Sequence, residues 1–69
     1  MYELRKYKRS STATTLLSTH ETYAEAIVEA EDFKVRPSDW LAAAVEGYWI
    51  AHNSIGTPFN GSYQIHKTE

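Results

Sequence analysis

The sequence predicts an α+β domain in the order ββααββ: an antiparallel sheet with helices packed on one face. Two short segments in which β-formers alternate with polar residues precede one amphipathic helical run. A dense cluster of turn residues then separates two further strand-like segments near the C-terminus. The whole chain, residues 1–69, reads as one domain, because its length lies below that at which chains divide.

The first strand is read over residues 2–9 (YELRKYKR), with no breaker among them. A period of two places Tyr2, Leu4, Lys6 and Lys8 on one face and Glu3, Arg5, Tyr7 and Arg9 on the other. Residues 13–19 (ATTLLST) form the second strand, joined through Ser10-Ser11-Thr12 in an antiparallel hairpin. The link lacks the Asn-Gly or Asp-Gly pair of the tightest turns, so the register stays open.

The helix begins at Thr22-Tyr23-Ala24-Glu25, a capping box in which hydroxyl and carboxylate satisfy two orphaned backbone donors. At about 100° per residue, Tyr23, Ala26, Ile27, Ala30 and Phe33 share one face. Glu25, Glu29 and Asp32 form a stripe roughly opposite. The helix spans about 12 residues and ends near Lys34, whose charge suits a helix C-terminus.

Pro37-Ser38-Asp39 reads as a second helix start, with Ser38 as N-cap. Trp40, Leu41, Ala44 and Val45 follow at helical spacing, which gives a short helix over 39–46 closed by Gly47, and then a strand over 48–53. A single helix through His52 and a strand over 41–46 are the two alternatives. Gly47 counts against the first and the three consecutive alanines against the second. Gly56, Pro58 and Asn60-Gly61 mark turns, with Phe59 expected to pair with Ser62 across a two-residue turn. Residues 62–67 (SYQIHK) form the last strand.

The chain has no cysteine, which excludes disulfide scaffolds and thiolate metal centres. Its formal net charge is −2, against a strongly basic nucleic-acid binder. The charge is segregated: Arg5, Lys6, Lys8 and Arg9 stand against Glu3 alone, whereas residues 21–32 hold five acids and no base. No apolar run has the length of a membrane span and the N-terminal residues do not resemble a signal peptide, so a cytoplasmic protein is expected.

No constellation supports catalysis. His20, His52 and His66 lack metal-ligand spacing, no nucleophile elbow is present, and the single glycines offer no phosphate-cradling loop. No enzyme activity, metal or cofactor is expected. Two surfaces remain as candidates for contact. The acidic stripe Glu25, Glu29 and Asp32 would meet a basic groove on a partner. Alternatively, Arg5, Tyr7, Arg9 and Trp49 would form a basic aromatic platform on the open sheet face, suited to single-stranded nucleic acid.

The charged first strand (YELRKYKR), the Thr-initiated acidic helix (TYAEAIVEAEDF) and the aromatic, glycine-bearing C-terminal segment (GYWIAHNSIGTPFNGSYQIHK) resemble, in size and layout, small phage-encoded accessory proteins, including anti-CRISPR proteins. The resemblance implies a non-enzymatic protein that inhibits a larger host nucleoprotein or defence complex by covering one of its surfaces, in the host cytoplasm. Direct nucleic-acid binding is the second reading. A structural homo-oligomer is the third, since the nine aromatic residues exceed what so small a core needs.

Overall fold

The computed structural model describes residues 1–8 and 13–68. Five strands form a single sheet: β1 (Tyr2–Tyr7), β2 (Thr14–His20), β3 (Leu41–Ala42), β4 (Tyr48–His52) and β5 (Ser62–Lys67). Their spatial order is β2-β1-β5-β4-β3 and every neighbouring pair is antiparallel. One α-helix, α1 (Tyr23–Ala30), and two single 3₁₀ turns, Glu31–Phe33 and Pro37–Asp39, lie between β2 and β3. The α+β class and the single sheet agree with the sequence. The ββααββ order does not, because the second helix is absent and a fifth strand stands in its place.

Residues 39–46 show why. The Pro37–Asp39 turn is local: the Asp39 carboxylate accepts the Arg36 backbone N–H at 2.8 Å and binds the Arg36 guanidinium with both oxygens, so Arg36 occupies the cap position expected for Ser38. Trp40 is then extended and buried, and Leu41 and Ala42 pair with Ile50 and Trp49. Leu41 and Val45 are both more than half exposed, so the helically spaced apolar residues never form a buried stripe. An isolated helix of eight residues is too short to be stable alone, whereas Leu41 to Ala43 find backbone partners on β4. Gly47, at φ 83°, serves the β3–β4 turn instead of a helix terminus.

The first helix follows its expected start closely. Thr22 Oγ1 accepts the Glu25 N–H at 3.2 Å, and Glu25 Oε1 accepts the Thr22 N–H at 3.1 Å. Its C-terminus tightens into the 3₁₀ turn and stops at Lys34. The Lys34 N–H donates to the Glu31 carbonyl and the Val35 N–H to the Ala30 carbonyl, a Schellman arrangement with Lys34 left-handed at φ 68°. Val35 and Ala30, both fully buried, supply the apolar contact that accompanies such a stop.

Leu4, Ala51, Tyr63 and Ile65 enter the core from the sheet, with Leu4 opposite Ile65 and Ala51 opposite Tyr63. Ala26, Ala30, Val35 and Trp40 close the core from the other side. The chain leaves the sheet at one edge strand, β2, and re-enters at the other, β3. Residues 21–40 therefore cross the same face. Phe59 joins this core from the β4–β5 loop, so it does not pair with Ser62; that place is taken by His52. The loop is held by Asn53, whose backbone N–H donates to the Gly61 carbonyl and whose side-chain amide donates to the Phe59 carbonyl. The expected Ser10-Ser11-Thr12 link lies outside the described residues, although β1 and β2 do pair, from Tyr7 opposite Thr14 to Tyr2 opposite His20. A bulge at Leu17 interrupts the register and turns that side chain toward the core.

Candidate docking face

Because side chains alternate along a strand, burial of Leu4 and Ile65 commits the opposite parity to the other face. No described helix covers that face. Its middle row runs Leu16, Arg5, Gln64, Ile50 and Leu41 across β2, β1, β5, β4 and β3. One flanking row carries Tyr7, Ser62 and His52, and the other carries Glu3, His66 and Tyr48. Strands about 4.8 Å apart make this surface about 20 Å wide.

The cation at its centre is already partnered. Arg5 Nε donates to Glu3 Oε1 at 3.0 Å and Arg5 Nη1 donates to Thr14 Oγ1 at 3.0 Å. At one end the Tyr7 hydroxyl and the Ser62 Oγ lie 3.0 and 3.4 Å from His52 Nδ1. At the other, the Tyr48 ring stacks on His66 with centroids 4.2 Å apart. His66 is hydrogen-bonded to Gln64 Oε1, and its pKa is held below the ordinary 6.5, first by burial and then by the nearby Arg5 charge, with Glu3 opposing. Apolar surface lies at both sides: Leu16 is 47% exposed and Leu41 66%. The face is thus nearly neutral, aromatic at its two ends and aliphatic at its flanks.

Arg5 and Tyr7 stand on this face as expected. Arg9 lies outside the described residues. Trp49 does not stand there: its register opposite Ile65 turns it to the helix side, where its ring lies 4.6 Å from that of Tyr23 and 6.1 Å from that of Tyr2. Tyr48, Ile50, His52, Gln64, His66 and Leu41 were missed, although the alternation Tyr48-x-Ile50-x-His52 in the sequence carries the parity that finds three of them.

The three residues of the acidic stripe border two grooves. Glu25 is engaged in the capping box, and with Glu29 it lines a shallow groove of about 280 Å³ beside His20 and Val28. Asp32 borders a different groove, with Lys6 and Lys34.

Among the described residues no three His, Asp or Glu side chains converge as a metal site, and no helix is long and apolar enough to cross a membrane. No family model, curated protein or solved structure matches this chain.

Proposed function

We propose that the protein is a non-enzymatic binding protein that docks its uncovered sheet face on a larger host protein or nucleoprotein complex and inhibits it by covering that surface. The mode of action is the one implied by its likeness to small phage-encoded inhibitors, with the cytoplasm of the host as the place of action. The observation that carries the reading is the composition of the face itself. Exposed Leu16, Leu41 and Tyr48 surround a central arginine whose charge is already met by Glu3. Apolar and aromatic anchors with few free charges suit the centre of a protein interface.

The same features weigh against phosphate contacts, since phosphate binding draws on free lysines and arginines. Tyr7 and Tyr48 keep single-stranded nucleic acid as the second reading, because aromatic side chains on a sheet are stacking platforms. Mixing the purified protein with candidate host effector complexes, alongside a mobility-shift series with single- and double-stranded DNA and RNA at low salt, separates the two. Capture of an effector complex without any nucleic-acid shift is the expected result. A salt-sensitive shift with free single strands would overturn it in favour of the second reading.

A further inference from the structure

On the helix side of the sheet, away from the docking face, a groove of about 290 Å³ opens between the stop of α1 and the β4–β5 loop. Its volume lies just below the range of small-molecule sites, about 300–1,000 Å³. Lys6, Asp32, Phe33, Lys34 and Tyr63 line it. Neither lysine forms an ion pair among the described residues, so the groove holds two cations outside any salt bridge and one carboxylate.

The Lys6 side chain is packed and the Lys34 backbone is fixed. The Lys6 stem crosses Gly61, where an added Cβ would come within 3.1 Å of Lys6 Cε, and its ammonium sits over the Tyr63 ring at 5.8 Å. A lysine stem that fills the gap left by a missing side chain is less free than a solvated one. Lys34 occupies the left-handed position of the Schellman stop, where glycine is the usual and less strained residue. A non-glycine residue there brings a side chain to the groove at a conformational cost. Between them Phe33 keeps 37% of its surface exposed, its ring 5.6 Å from that of Tyr63.

We infer that this groove binds a small aromatic anion of the nucleoside-monophosphate class. Lys6 and Lys34 take the phosphate, the exposed Phe33 ring stacks on the base, and the Asp32 carboxylate accepts hydrogen bonds from the sugar hydroxyls. The site is independent of the sheet face and of the partner proposed for it.

The test follows the amide resonances of the isotope-labelled full chain during titration with adenosine monophosphate, inorganic phosphate and adenosine. Saturable shifts at Phe33, Lys34, Asn60 and Gly61 are expected with the monophosphate, with phosphate or adenosine alone binding about tenfold or more weakly. Lys6→Gln and Lys34→Gly are each expected to weaken binding about tenfold, the effect of one charge-assisted hydrogen bond. Lys34→Gly should melt no lower than the parent, because glycine suits the positive φ, so lost binding is not lost folding. No saturable shift at these residues in the millimolar range overturns the inference. So does undiminished affinity in both variants, and so do shifts with phosphate alone as strong as with the nucleotide.

Discussion

Trp49 and its neighbour Tyr48 show what one step of strand parity decides. Trp49 closes an aromatic cluster with Tyr23 and Tyr2 under the helix, whereas Tyr48 faces outward and stacks on His66. Trp49→Ala is therefore expected to destabilise the fold by about 3 kcal/mol, as large-to-small changes in packed clusters do. A denaturant titration reads this, and a loss below about 1 kcal/mol would contradict the placement. His66 supplies a second test at this scale. Its pKa in the folded chain lies below the ordinary 6.5, so the unfolded chain takes up the proton more readily. The stability associated with neutral His66 is fully present above pH 6.5 and is lost as the pH falls from there through the depressed folded value. Melting temperatures measured on both sides of that window should fall more steeply for the parent than for His66→Gln. Parallel curves would contradict the assignment.

At the scale of elements, the parts that were legible in the sequence are those whose signals are local. The Thr22–Glu25 capping box, the stop at Lys34 and strand β5 all lie where the residues predict. Thr22→Ala is accordingly expected to cost about 1 kcal/mol through loss of one cap hydrogen bond, measured by the shift in urea midpoint; no shift would show that the cap does not hold the helix start. The segment 39–46 was illegible because its outcome depends on a distant partner. Leu41 and Ala42 pair with residues nine and seven positions further along, and no local spacing announces that pairing. Glu25 is a capping residue, and Glu25 and Glu29 border one groove while Asp32 borders another. On the candidate face, Arg5 and Tyr7 followed from the first strand alone. The partners that complete the surface required the sheet order β2-β1-β5-β4-β3, which sets chain-distant β5 beside β1 and β4 beyond it.

For the whole molecule, the aromatic surplus that seemed to exceed a small core is largely consumed by it. Trp40, Phe59 and Tyr63 are buried, and Tyr2, Tyr23 and Trp49 pack against them. Phe33 meets Tyr63, which leaves Tyr7 and Tyr48 on the open face. A chain of 69 residues has little interior to spare, and its core is near the minimum that holds one domain together. One face of the sheet is committed to that core and no described helix covers the other. Reversing the acidic stripe, as Glu25→Lys, Glu29→Lys and Asp32→Lys together, is expected to leave partner binding unchanged in a direct binding measurement. Loss of binding in that variant would return the function to the helix. The most direct measurement is quantitative affinity capture from host extract, with the parent chain beside a Leu41→Asp, Tyr48→Asp variant. Both positions are exposed, and a melting curve checks that the variant folds. The account predicts that the host complex retained by the parent is lost by the folded variant; equal retention by both would contradict it.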